Sequence, residues 1–366
     1  MKKPEIKKLD WYIIKKFIGT YIFTLLIVIL IVIIFDLSEK IDKFAANNVP
    51  LNEIIFQYYC GFIPWILNSF SPLFTFLAAI FFTSQLASHS EIVAMLTSGI
   101  SFKRLLKPYM ISAAFIWAMS LLMGMYIIPP ANQHRLDFEN KYIKTQRVAN
   151  ETHNIHYQIA PGQFLYVEQF SPWANTAYKF TLETIDVENE ELLSKLSAES
   201  AVWDSSIGGW RLRNYYERNF YGESEMVRNG SELDTVINLT LEDFYRRKNI
   251  VESLKESELD KLIATQRMRG DAMVMYALIE KNNRIAMPFS AFVLTVMAVA
   301  LSSRKKRGGT GINIGVGLAL SFSYILFQRF AQMFVTTGTL PPAVAMWLPN
   351  IIYAIIAYVL YRVAPK

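Results

Sequence analysis

Little in this chain can support covalent or metal chemistry. Its 366 residues include a single cysteine, Cys60, and 4 histidines. One cysteine excludes an internal disulfide and a cysteine-based zinc cluster. His153 and His156 lie close together without a third ligand nearby, and metal sites take three or four, so both read as strand-surface side chains. No phosphate-cradling glycine loop occurs: Gly308, Gly309 and Gly311 lack the spacing and the lysine, and read as a flexible loop. Ser-His-Asp and Cys-His arrangements are missing, and the apolar blocks carry no Asp/Glu relay of the sort an ion-driven transporter needs. These absences argue against an enzyme, and the sequence calls for no cofactor.

What is abundant is apolar length. The chain is 52% hydrophobic and 19% charged, with the apolar residues gathered in blocks near both ends and the charges in the middle. A helix needs about 20 apolar residues to cross the hydrocarbon core. Phe17–Phe35 qualifies and is too long for a signal core, so it reads as a retained anchor. The apolar stretch 54–87 is broken by Pro64, Asn68, Ser69, Ser71 and Pro72, which predicts an interfacial entry helix followed by one span near 65–87. A third span is expected over Leu105–Ile128, ending at Pro129-Pro130. Three more follow: one from about Tyr276 to Leu301, then Ile312–Val335 and Val344–Tyr361, the last with Trp347 and Tyr361 as interfacial anchors.

The net charge of +6 sits mostly beside these blocks, which fits membrane topology better than nucleic-acid binding. If the N-terminus is cytoplasmic, the inner flanks hold Lys2, Lys3, Lys7, Lys8, Lys15, Lys16, Lys103, Arg104, Lys107, Arg304, Lys305, Lys306, Arg307, Arg362 and Lys366. The short outer loops hold only Lys40 and Lys43. Positive charge retained inside thus places both termini in the cytoplasm and residues 131–270 outside.

That outer segment reads as strands. Pro161-Gly162 and Gly208-Gly209 mark turns, and Tyr178 to Glu183 alternates apolar with polar. Short strands with turns between them suggest a sandwich or jelly roll. From Leu254 to Arg269 the pattern turns helical, and Gly270 can end it. The fold class expected is membrane α-helical, with six transmembrane helices and an extracytoplasmic β-jellyroll-like domain inserted between the third and fourth. Its divisions are helices 1–3 over residues 1–130, the β domain over 131–253, a helical connector over 254–275 and helices 4–6 over 276–366.

Two features invite a functional reading. Between the second and third spans, Ile92, Met95 and Leu96 fall at helical spacing, with Ser90 placed to cap the start and Gly99 to end the helix. A short amphipathic helix there suits a partner's groove, and it can also rest on the lipid surface. Arg329, with Gln328 and Gln332, lies near the outer end of the fifth span, where it either snorkels or meets an anionic headgroup.

At these residues the chain resembles the lipopolysaccharide export permease family of the LptF/LptG type. Leu9-Asp10-Trp11-Tyr12-Ile13 with Phe17 and Asp36 resembles its opening helix. Glu91-Ile92-Val93-Ala94-Met95 with Ser98-Gly99-Ile100-Ser101 resembles its coupling-helix motif. Trp203, Trp210 and Leu212 resemble its outer β domain, and Glu280, Arg284 and Pro288 its E-x-x-x-R-x-x-x-P helix. Pro341-Pro342 and Trp347-Leu348-Pro349-Asn350 resemble its last helix.

The resemblance implies a transporter subunit of the bacterial inner membrane, not an enzyme. A paralogous permease subunit would pair with it, and a cytoplasmic ATPase dimer would grip the helix held by Ser90, Glu91, Ile92, Met95 and Gly99. Glu91 would supply the polar contact and Ile92 and Met95 the apolar knobs. Lipopolysaccharide would pass from the membrane to periplasmic jellyroll bridge proteins, its phosphates held by Lys40, Lys43 and Arg135, with Arg329 added as a candidate contact by its place in the fifth span. The alternative is a membrane-anchored β scaffold that binds partners without transport. A scaffold has no use for an ATPase dock.

Overall fold

The computed structural model describes residues 7–143, 153–222, 224–244, 248–271, 273–303 and 309–364. Lys2, Lys3, the basic run 304–307 and Lys366, used above for topology, lie outside them. The chain forms two compact units. One comprises residues up to Ile143, Glu252–Glu256 and everything from Leu278 onward; the other comprises Lys144–Val251 and Ser257–Ala277.

The first unit is helical, and among the described residues six helices are long and apolar enough to cross a membrane. Helix α1 runs from Lys8 to Ala46. Helices α2, Cys60–Ser69, and α3, Ser71–Ser88, follow it. Short α4 is Glu91–Thr97 and α5 is Phe102–Leu122. The single span expected near 65–87 is split at Phe70, not at Pro64. Phe70 leaves helical geometry at ψ 10°, while Pro64 stays inside α2. Pro72 begins α3, where its missing N–H would have had no partner.

The third span does not stop at Pro129-Pro130 as expected. A π-helical turn, Met123–Ile127, links α5 to α6, Ile128–Phe138, so the helix runs on. Both prolines occupy the first turn of α6, where the widened turn relieves the ladder of their absent donors.

Helix α3 is the centre of the first unit. Within its apolar window 78% of residues are buried, against 17% in α1. Phe17 stacks on Phe82 at 6.4 Å and meets Tyr109 at 5.6 Å. The Thr83 hydroxyl donates to the Tyr109 oxygen at 3.0 Å, so a buried polar pair is satisfied inside the apolar core. By contrast α1 turns Trp11, Phe23, Leu30 and Phe35 outward. Apolar side chains exposed along a whole helix require lipid or another protein around them.

The second unit is built on one six-stranded antiparallel sheet whose strands follow chain order. They are β1 His153–Ala160, β2 Gln163–Ser171, β3 Thr176–Asp186, β4 Glu191–Asp204, β5 Gly209–Tyr221 and β6 Ser224–Thr235. The inserted β domain expected from the turn signals is therefore present. Strand β6 escaped the sequence reading because its side chains are exposed almost throughout, leaving no alternation to detect. Trp210 is fully buried, donates to the Leu239 carbonyl at 2.9 Å and meets the Phe244 and Trp203 rings edge-on. His153 and His156 are exposed on β1.

Helix α7, Glu256–Met268, ends at Gly270, where φ is +65°. Arg269 just beyond it pairs with Asp243 at 2.9 Å and donates to the Asn238 carbonyl, which ties that end into the second unit. Helices α8 Val274–Ser302, α9 Gly309–Thr336 and α10 Pro342–Val363 complete the chain.

Candidate functional site

The residues singled out by sequence gather at the two ends of the helical unit. At the end that carries the start of α1, helix α4 is held by its apolar stripe and by a contact from α1. Ile92 is wholly buried and Met95 nearly so, in the core shared with Leu86, Phe102, Leu105 and Tyr109. The Tyr12 hydroxyl donates to Glu91 Oε2 at 3.2 Å. Asp10, almost fully buried, accepts from both Arg104 terminal nitrogens at 2.5 and 2.7 Å and from the Lys7 backbone at 3.0 Å. This fork joins the first turn of α1 to the first turn of α5.

Two details of the expected helix change. Ser90 stands at the N-cap position in left-handed geometry, φ +61°, and its side chain makes no cap bond to the helix. Ile92 and Met95 point into the chain's own core and are not available as knobs. A two-turn amphipathic helix must bury its apolar stripe against its own scaffold first, because the bundle offers it the nearer core. The face it leaves open carries Glu91, Val93, Ala94, Thr97 and Ser98.

Gly99 does end the helix as expected. Its amide donates to Leu96 O at 3.1 Å and the Ile100 amide to Met95 O at 3.2 Å, the paired bonds of a Schellman turn. The φ of +86° at Gly99 is one that a side chain resists.

At the other end, Lys40 pairs with Asp36 one turn earlier and donates to the Tyr58 hydroxyl. Tyr58 in turn donates to Asp36 Oδ1 at 2.9 Å. The ammonium also lies 4.7 Å from the Tyr58 ring centre and 5.3 Å from that of Phe62. Lys40 is thus turned inward onto its own chain, whereas Lys43 is exposed.

Arg135 is buried, with its guanidinium 4.5 Å over the Trp65 ring and its Nε, 3.8 Å from Glu139, without a hydrogen bond. That proximity depends on Gly61. A Cβ there would lie 2.3 Å from the Ala131 carbonyl and 2.8 Å from Arg135 Cβ, so α2 reaches α6 only with glycine at this position. Trp65, one turn further along α2, then covers the guanidinium.

Trp65 Nε1 donates to Glu252 Oε2 at 2.7 Å. Burial, and then the neighbouring Glu280 carboxylate, push the Glu252 carboxyl up to about 7. The Trp65 hydrogen bond and the Arg135 and Arg329 charges act against that rise. Arg284 holds the same segment: it donates to Glu280 Oε1 and to the Leu254 carbonyl, each at 2.8 Å, and pairs with Glu256 at 3.4 Å. Arg329 is exposed and donates to Gln332 at 3.2 Å, while Gln328 turns inward to Asn283 at 2.7 Å.

The structure thus brings Arg135, Trp65 and Glu252 together and adds Arg329 to their field. Lys43 remains apart on the surface. Asp36, Tyr58, Trp65 and Glu252 were missed as site residues. Asp36 and Trp65 sit in or beside apolar blocks where only tertiary contact reveals a polar partner. No group of three or more metal-ligating side chains occurs among the described residues.

Comparison with known proteins places these features in a family. The model of the lipopolysaccharide export system permease LptF/LptG matches residues 11–363, nearly the whole chain. The lipopolysaccharide export system permease protein LptF of Escherichia coli (strain K12) is 22% identical over 368 aligned residues, covering 95% of this chain and 93% of the relative. The protein of the same name from Shigella flexneri matches to the same extent.

Proposed function

The chain belongs to the lipopolysaccharide export system permease LptF/LptG family, and from that premise we propose that it is the membrane subunit of an ATP-driven lipopolysaccharide exporter. In this reading it lies in the bacterial inner membrane with both termini in the cytoplasm and the β unit in the periplasm. A paralogous permease covers apolar faces such as that of α1. A cytoplasmic ATPase dimer docks on α4. Lipopolysaccharide enters between the two permeases and passes by way of the β unit to periplasmic jellyroll bridge proteins.

The observation that carries the proposal is the anchoring of α4. A helix of one to two turns presents Val93, Ala94 and Thr97 outward while Ile92 and Met95 are sunk in the bundle core. Close-packed interiors transmit displacement instead of absorbing it. A push on α4 is therefore passed to α1, α3 and α5 through Tyr12, Met95 and the Asp10–Arg104 fork. At the opposite end, Lys43 and Arg329 are the exposed cations that meet lipid phosphates. Lys40 and Arg135 also serve the lipid, by ordering the aromatic wall of Tyr58, Phe62 and Trp65 and by exchanging their internal partners for phosphate when it arrives.

The test is co-purification of the ATPase with a Val93→Asp variant. Met95 is unsuitable because its loss would damage the core. Val93 is exposed, so the variant folds, and a buried unpaired carboxylate at the docked face should abolish ATPase recovery. Recovery at the wild-type ratio would defeat the docking assignment.

A further inference from the structure

Beside the C-terminal turn of α4 lies a cleft of about 360 Å³, lined by the end of the coupling motif and by the starts of α1 and α5. Its floor is apolar, made by Ile13, Ile100, Leu105 and Pro108, and its polar wall carries Lys7 and Arg104. Asp10 also lines it, but that carboxylate is spent on the Arg104 fork and on the Lys7 backbone, so it offers no free acid. Lys107, exposed one turn further along α5, adds to the positive field reaching Asp10, and Lys103 is exposed beside it. The Asp10–Arg104 pair is neutral in sum, so the free charge at the mouth is that of Lys7, with Lys103 and Lys107 exposed nearby on α5, over an apolar base.

Its position matters as much as its charge. Gly99 and Ile100 both line the cleft and close the Schellman turn of α4, so the surface is continuous with the exposed face of that helix. Glu91 carries negative charge at the other end of the same face. Gly99 at the edge of the cleft lies eight positions after Glu91, roughly 12 Å at the α-helical rise. The combined surface is dipolar: acid, then Val93, Ala94 and Thr97, then base.

We infer that the cleft is a second docking point for the ATPase proposed above, taking an acidic side chain flanked by an apolar one, about one short helix away from a basic side chain that meets Glu91. This rests on the docking reading of α4. Size and charge decide the occupant. A volume at the low end of the roughly 300–1,000 Å³ typical of ligand clefts accepts one or two side chains and excludes a two-chain lipid. The apolar floor asks for more than a solvated ion. A carboxylate that meets Lys7, in the field of Lys103 and Lys107, fixes the register of docking and speeds encounter. That register would prevent α4 from being gripped in the reverse direction.

The experiment measures ATPase binding to the full-length permease complex in nanodiscs made from neutral lipid, at low and high salt. Three forms are compared: wild type, Lys7→Glu with Lys107→Glu, and Val93→Asp. The double variant should bind about tenfold more weakly at low salt and lose most of the salt dependence, since screening acts on the attraction that was removed. Val93→Asp should lose binding at both salts.

A double variant with wild-type affinity and salt response, alongside loss in Val93→Asp, would overturn the cleft and leave α4 docking intact. Unchanged binding in both would remove both proposals. A double variant with unchanged ATPase affinity but less anionic phospholipid retained from the native membrane would also overturn the inference, by showing a lipid site. Where charge reversal disturbs folding, Lys7→Gln with Lys107→Gln should give a smaller loss of the same kind.

Discussion

A Lys40→Met substitution separates structural charge from lipid-facing charge. The Asp36 side chain is 8% exposed and that of Lys40 19%, so the pair is largely withdrawn from solvent. Removing the ammonium leaves Asp36 as a buried charge with one remaining donor, the Tyr58 hydroxyl, and with Oδ2 already lacking a partner. Breaking a buried pair from one side costs about 3–5 kcal/mol, and the partial exposure of Lys40 puts the value here near the lower limit, about 3 kcal/mol.

For a cooperative unit of this size that corresponds to a fall in Tm of roughly 6–12 °C. Thermal unfolding of the detergent-solubilised protein, followed by tryptophan fluorescence, measures it. Adding Asp36→Asn to Lys40→Met removes the orphaned charge and should restore most of the loss, because a neutral pair has no desolvation to offset. Lys43→Met touches an exposed side chain and should leave stability within about 0.5 kcal/mol while lowering lipopolysaccharide delivery. If Lys40→Met proves no more destabilising than Lys43→Met, the inward role of Lys40 is wrong.

Glu252, with its carboxyl raised from 4.5 to about 7, binds its proton more tightly in the folded chain than in the unfolded one. Stability should therefore decline as pH rises through the window from about 4.5 to 7, and melting curves of Glu252→Gln should lack that slope. Gly99→Val places a β-branched residue at φ +86°, at a cost of about 1–2 kcal/mol, although a Cβ there meets nothing within 4 Å. Hydrogen exchange should quicken across Glu91–Thr97 in that variant and leave the β sheet unchanged; uniform protection in α4 would contradict the turn assignment.

The charged cluster at the far end explains why reading single residues was insufficient. Lys40, Lys43, Arg135 and Arg329 look alike in sequence, as cations at the edges of apolar blocks. Folding sorts them by their neighbours: Asp36 and Tyr58 take Lys40, Trp65 takes Arg135, and Lys43 and Arg329 stay outside. The same sorting turns Ile92 and Met95 inward and leaves Val93 as the outward apolar contact.

Length and composition of the apolar blocks determined the six spans, since a bilayer imposes one minimum length on any helix that crosses it. The turn pairs Pro161-Gly162 and Gly208-Gly209 determined that strands lie between them, and Gly99 and Gly270 determined where two helices stop, because these are local constraints on φ. Tertiary structure alone decided the continuation of the helix past Pro129-Pro130, the exposed strand β6 and the meeting of Trp65 with Arg135 and Glu252. Each of these depends on residues distant in sequence or on a widened helical turn, and no periodicity records such contacts. The cleft at Lys7 and Arg104 belongs to the same class: its charges are legible along the chain, but its concavity exists only where the start of α1 meets the turn after α4.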